Sequence, residues 1–205
     1  MTTSSVAQPP LFLAEVERNP KPSPYKDLLD TAKNSGGDSW QIWHLLAFDP
    51  ELARHLAAMS HAIMHKPGPI SAGLRELIAA YTSSLNRCEF CMKAHAAVAA
   101  ELLEDEALVW IVLRDLEKSA LPENEKALLR FIRKVTLDSA SIIQADIEHL
   151  HAVGWQDDAI FYAISACALF NFYNRWVSAS GVHPVGDDIV RRLASRMARS
   201  GYNRE

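Results

Sequence analysis

The sequence has little that would build a disulfide scaffold, a membrane span or a sheet. Three cysteines in 205 residues are too few, and odd in number, for a framework of bridges. The longest apolar segment, Ala159 to Phe172, is about 14 residues and is broken by Ser165 and Asn171, which is too short and too interrupted for a bilayer. No run of alternating apolar and polar residues makes a convincing strand. Met1-Thr2-Thr3-Ser4-Ser5-Val6 has no basic stretch leading into an apolar one, so no signal peptide is expected and a cytoplasmic location is. A net charge of −4 argues against nucleic acid or an anionic membrane as the main partner, because neither attracts a mildly acidic surface. What is present is 49% apolar and 22% charged residues, enough for the core of one ordinary domain.

The first 38 residues are proline-rich and polar, and Pro9, Pro10, Pro20, Pro22 and Pro24 forbid a continuous helix. They read as an extended N-terminal arm with one short helix at Tyr25–Lys33, stopped by Gly36-Gly37. Leu11, Phe12 and Leu13 would pack the arm on the body or on a neighbouring subunit. Residues 39–205 read as a single all-helical domain. Ser39 can cap a short helix carrying Trp40, Ile42, Trp43, Leu45 and Leu46. Asp49-Pro50 is a cap followed by proline in the first turn, opening a helix that runs to about Met64. Ser71 opens the next, with Leu74, Leu77, Ile78 and Tyr81 at helical spacing. Asn86 with Glu89 three residues on reads as a capping box for a helix reaching Leu103. Further helices are expected at about 105–117, 122–137, 143–153, 156–179 and 187–199. The fold class is all-α.

The chemistry is concentrated in Cys88-Glu89-Phe90-Cys91, with His95 four residues later and Glu76 twelve residues before Cys88. Residues three, four and seven apart share one helix face, so Cys88, Cys91 and His95 line up. Two thiols at such a spacing can close into a disulfide, and the positive end of a helix favours a thiolate. Glu76 lies ten residues before Asn86 and His95 nine after it. At about 1.5 Å per residue they stand roughly 15 Å and 13.5 Å from the turn, nearly level in an antiparallel hairpin. A Glu–His–Cys proton relay is consistent with that spacing. The helix end favours charge on Cys88 while the histidine favours Cys91. Proton removal by a neighbouring base is the more directional effect.

Plainer readings compete. A CxxC is often half of a zinc site, but no second CxxC or paired histidines complete one, so no metal and no cofactor are expected. Haem attachment needs histidine directly after the second cysteine, where Met92 stands. Cys167, in an apolar run, reads as a buried small hydrophobe. His55, His61 and His65 read as surface histidines. Trp40, Trp43, Phe48 and Tyr81 read as core or interface residues. Asn171, Asn174 and Arg175 in an apolar helix would satisfy buried backbone or an intersubunit carboxylate, with a direct role at the site as the lesser reading.

Arg75-Glu76, eleven intervening residues, then Cys-x-x-Cys-x-x-x-His resembles the signature of the alkyl hydroperoxidase D (AhpD)-like branch of the carboxymuconolactone decarboxylase superfamily. Asn174-Arg175 followed by Ala179-Ser180-Gly181 resembles the closing segment of its peroxidase-related subgroup, so the likeness runs from about Ser39 to Gly181. The resemblance implies a multi-helix bundle built around a helix hairpin carrying the CxxC pair, assembly as a homo-oligomer (dimer, trimer or hexamer), and thiol peroxidase activity. It implies Cys91 as the peroxidatic cysteine, Cys88 as the resolving one, and His95 as the base that deprotonates Cys91, backed by Glu76. The substrate would be a small hydroperoxide and the reductant an external dithiol or protein. Hydroperoxidases of this family carry histidine just before the second cysteine, whereas this chain has Phe90, which cannot relay a proton. Two other functions fit the same residues: a redox sensor that oxidises without turnover, and cofactor-free decarboxylase or lactone chemistry.

Overall fold

The computed structural model describes residues 8–35 and 39–202. Among them eleven α-helices follow one another without a strand. They are α1 (Ala14–Arg18), α2 (Pro24–Asn34), α3 (Ile42–Phe48), α4 (Pro50–Met64), α5 (Ala72–Leu85), α6 (Glu89–Leu103), α7 (Glu106–Arg114), α8 (Glu123–Asp138), α9 (Gln144–Ala152), α10 (Asp157–Ser180) and α11 (Asp187–Ser200). No described helix is long and apolar enough to cross a membrane.

Local chemistry explains most of the boundaries. The Asp49 side chain accepts from the Leu52 N–H and Pro50 occupies the first turn, so α4 starts where the sequence signals it. Ser71 caps α5 by accepting from the Leu74 N–H. Gly181 ends α10 in the left-handed region at φ 79°, which glycine adopts without a Cβ penalty. The helix expected at Tyr25–Lys33 occupies Pro24–Asn34, while the glycines expected to stop it lie outside the described residues.

Two boundaries differ from the sequence expectation. Ser39 does not cap α3, which begins at Ile42 after Gln41. Gln41 is buried and is committed elsewhere. Its Nε2 donates to the Pro9 carbonyl at 2.5 Å and its Oε1 accepts from the His183 N–H at 2.9 Å, tying the N-terminal segment to the end of α10. Asn86 is not the cap of α6 either. It closes α5, Arg87 turns the chain at φ 56°, and Cys88 is the residue immediately before α6. The Asn86 amide instead donates to the Asn171 and Asn174 side-chain oxygens on α10. A tertiary partner has displaced the local cap.

The core has two lobes. One, built on α5, α8 and α10, holds Leu77, Leu128, Leu129, Phe170 and Cys167. The other holds Leu11, Tyr25, Trp40, Trp43, Val177 and Met197 together with Cys88 and Cys91. α5 runs between neighbours on nearly every side, against α6, α7, α8 and α10. Its close approach to α6 depends on Gly73, where a Cβ would come within 2.7 Å of Leu103. Arg75, 2% exposed, donates to the Ile63 and Lys66 carbonyls at the end of α4 and fixes how α5 enters this sandwich.

Candidate active site

Three residues join α5 to α6, and the two helices pack along each other. This brings Glu76 and His95 together across the turn. His95 Nδ1 lies 2.7 Å from Glu76 Oε2, both side chains being buried. A carboxylate oxygen accepts, so Nδ1 is the donor and Nε2 is left for other partners.

The other carboxylate oxygen is held by a residue that the sequence did not single out. The Tyr202 hydroxyl donates to Glu76 Oε1 at 2.7 Å and lies 3.2 Å from His95 Nδ1. Its ring is nearly parallel to the imidazole, and Phe170 meets the same imidazole edge-on with centroids 4.2 Å apart. Burial, and then the Glu76 charge, push the Tyr202 phenol well above its usual pKa, so it remains a donor. Tyr202 follows α11, which packs on α6, and Gly201 lets the chain turn there. A Cβ on Gly201 would come within 2.6 Å of His65 and 2.7 Å of His61. Those two histidines are therefore half-buried against the chain end, not surface residues as expected, whereas His55 is exposed.

Cys88 and Cys91 are buried free thiols at the start of α6. Hydrogen bonding from Cys91 outweighs burial and lowers the Cys88 thiol to about 6, with Ser178 and Asn174 adding to the effect. Cys91 is pushed well above the usual thiol value, first by its hydrogen bond to Cys88, then by burial and the Cys88 charge. The hydrogen bond between the two thiols thus favours the thiolate on Cys88 over one on Cys91. Asn174 is the link to α10. It donates to the Ser83 hydroxyl at 2.9 Å, accepts from Asn86 and reaches the thiol pair.

A cavity of about 100 Å³ opens beside these groups, and its wall includes Cys91, His95 and Tyr202 with Trp40, Phe90 and Tyr173. Cys91 and His95 thus face one space, although among the described residues no hydrogen bond joins them. Of the four sequence candidates, Glu76 and His95 form one hydrogen-bonded pair and Cys88 and Cys91 another, and Cys91 and His95 line the same cavity. No group of three or more His, Cys, Asp or Glu among the described residues could hold a metal ion.

Comparison with known proteins bears on this arrangement. Residues 50–131 match the model of the Carboxymuconolactone decarboxylase family. The fold is similar to the alkylhydroperoxidase AhpD core of an uncharacterized peroxidase-related protein from Ralstonia eutropha JMP134. That likeness has a TM-score of 0.72 at 26% identity and covers 87% of this chain and 96% of that one. The chain is thus similar to the carboxymuconolactone decarboxylase family over residues 50–131 and, in its fold, to an AhpD core. An uncharacterized peroxidase-related protein from Silicibacter sp. TM1040 is similar at 28% identity and TM-score 0.72, over 82% of this chain and 88% of that one. The debrominase Bmp8, in complex with 2,3,4-tribromopyrrole, shares the fold at 19% identity and TM-score 0.65, over 84% of this chain and 89% of its own. Comparison with curated proteins returned no significant match. The segment matching the carboxymuconolactone decarboxylase family contains Glu76, Cys88, Cys91 and His95. Trp40, Asn174 and Tyr202 lie outside it.

Proposed function

We propose that the protein is a thiol-dependent oxidoreductase that reduces small hydroperoxides through Cys88 and Cys91. The observation that carries this reading is a pair of free thiols at the start of α6, one of which lines a cavity. Cys91 meets the substrate because it is the cysteine in the cavity wall. Cys88, lowered to about 6, is the base beside it. As Cys91 passes its proton to Cys88, its sulfur attacks the outer oxygen of the hydroperoxide. The O–O bond breaks, leaving Cys91 as a sulfenic acid and an alkoxide that takes up a proton. That proton comes from solvent by way of His95, which stands in the same cavity and is oriented by Glu76, held in turn by Tyr202 from the other side. Cys88 then attacks the Cys91 sulfur, releases water and forms the disulfide. One hydroperoxide and two thiols give one alcohol, one water and one disulfide, and an external dithiol restores the thiols.

In this arrangement the proton of Cys91 goes to Cys88 and His95 serves the leaving oxygen, a different division of labour from a histidine that deprotonates Cys91 directly. The superfamily's chemistry is varied, since Bmp8 is a debrominase. Its fold-level likeness brings no substrate to this chain. A homo-oligomer would bury the exposed Leu52, Met59, Phe161 and Phe172, and light scattering in solution would show it.

The test is steady-state consumption of an alkyl hydroperoxide with dihydrolipoamide as donor, comparing native protein with Cys91→Ser. Turnover that disappears in the variant supports the reading. Native protein that oxidises once and stops would make it a sensor, and native protein with intact thiols and no oxidation at all would sink the peroxidase reading.

A further inference from the structure

Asn171, Asn174 and Ser178 are three and four residues apart and lie along one side of α10. Asn171 is half-buried and Ser178 exposed, but Asn174 between them is only 2% exposed. A primary amide buried this deeply has two N–H donors and one carbonyl oxygen to place.

Its neighbours fix which way it faces. The Ser83 hydroxyl gives its hydrogen to the Ala79 carbonyl at 2.7 Å, so at its 2.9 Å contact with Asn174 it can only accept. The Asn174 nitrogen therefore faces Ser83, and the Asn174 oxygen accepts from the Asn86 amide at 2.9 Å. Asn86 is itself held, since it also donates to Asn171 Oδ1 at 3.0 Å, an oxygen that accepts from Arg175 at 2.8 Å. Turning the Asn174 amide over would set donor against donor at Asn86 and acceptor against acceptor at Ser83. These contacts use the oxygen and one N–H of Asn174. The second N–H is left for the thiol pair that the side chain reaches.

We infer that Asn174 is the built-in hydrogen-bond donor of the dithiol centre, serving the sulfur that carries negative charge, and that Asn86 is a positioning residue that latches it in this orientation. The inference rests on the reading that the pair cycles between dithiol and disulfide. When an external thiolate bonds to the Cys91 sulfur, the Cys88–Cys91 bond breaks and its electron pair leaves on Cys88. A donor already aimed at the pair stabilises the departing thiolate, and a more stable thiolate leaves faster. The same hydrogen bond favours the reduced pair over the disulfide, which has no charge to stabilise.

Asn174→Leu, which keeps the size of the side chain and removes its donors, tests this in the full-length protein. Two readouts need no hydroperoxide: the pH midpoint of iodoacetamide modification, and the equilibrium of the disulfide with dithiothreitol. The midpoint should rise by about one pH unit. At pH 8 the equilibrium should shift about tenfold towards the disulfide, the lower end for a hydrogen bond to a charged group. At pH 5 the shift should all but vanish, because the reduced pair is then protonated and the groups on α10 that act on Cys88, Asn174 and Ser178, are uncharged. Asn86→Ala leaves Asn174 in place but unlatched, and should move both readouts the same way by a smaller amount. A folded Asn174→Leu with an unchanged midpoint and equilibrium overturns the inference, whatever its thermal stability. So does an equal shift at both pH values, because a packing defect is indifferent to the charge. If Asn174→Leu does not fold, an unchanged Asn86→Ala overturns it. An unchanged Asn86→Ala beside a shifted Asn174→Leu overturns the part given to Asn86. The expected shifts in a protein without hydroperoxide turnover keep this assignment and fail the peroxidase reading, and turnover without the shifts does the reverse.

Discussion

Cys167 and the Cys88–Cys91 pair are all buried free thiols, yet they sit in different chemistry. Cys167 lies in the aliphatic lobe between α8 and α10, 3.2 Å from the Thr136 hydroxyl and 3.4 Å from the Asn171 amide. Burial is the main influence on it and raises its pKa, so it keeps its proton. Cys88 is also buried, but a second thiol three residues on reverses the direction and lowers it. Cys91 is raised like Cys167, though chiefly by its partner thiol. Burial by itself makes a thiol inert. A hydrogen-bonding partner thiol, a helix start and a cavity wall are what separate the pair from the lone cysteine.

The sharpest way to test that contrast is to remove one sulfur at a time. Cys91→Ser should abolish hydroperoxide turnover, whereas Cys167→Ser should keep it within about twofold of native, since an isolated buried thiol takes no part in the exchange. Equal losses in both variants would erase the distinction. Next in size is the proton path. Glu76→Gln keeps the shape of the carboxylate but not its charge, and kcat should fall by roughly a hundredfold, the usual scale for a positioned acid or base. A third experiment reads the pair directly. Following iodoacetamide modification against pH, the native protein should show one thiol that becomes reactive as pH rises through about 6. Below that value its thiolate, and so the alkylation rate, should fall tenfold per pH unit. In Cys91→Ala the midpoint should move up towards the ordinary thiol range, because the leading cause of the lowering is gone, while Cys167 stays unreactive throughout. The smallest expected effect is at Tyr202→Phe. Loss of one hydrogen bond to the Glu76 carboxylate should cost about tenfold in kcat or less, and the pH profile of kcat should shift. A drop in thermal stability with an unchanged profile would leave Tyr202 as packing alone.

Much of the helical order was legible because its signals are local. Asp49-Pro50, Ser71 and Gly181 act within four residues, and the structure uses all three. The level of Glu76 against His95 was also legible, because helical rise is constant and the turn position was nearly right. The rotation of the two helices was not, and it is what turned spacing into a 2.7 Å contact. Asn86 shows the opposite case. Its sequence context is a good capping box, but two asparagines on α10, 85 and 88 residues away, took the amide. Asn174, polar in an apolar helix, reaches the thiol pair. Tyr202 carried no signal at all, being a single tyrosine near a polar chain end, 107 residues from His95.

By itself the sequence determined the helical class, most helix starts and stops, and the residue types of a dithiol centre. Those depend on caps, prolines, glycines and periodicity, whose physics reaches only one or two turns. Tertiary structure alone decided which thiol is lowered and which raised, which one faces a cavity, and that Tyr202 completes the Glu76–His95 pair. Each of these depends on distances between helices remote in sequence, and a hydrogen bond or a pKa responds to ångströms that no spacing along the chain encodes.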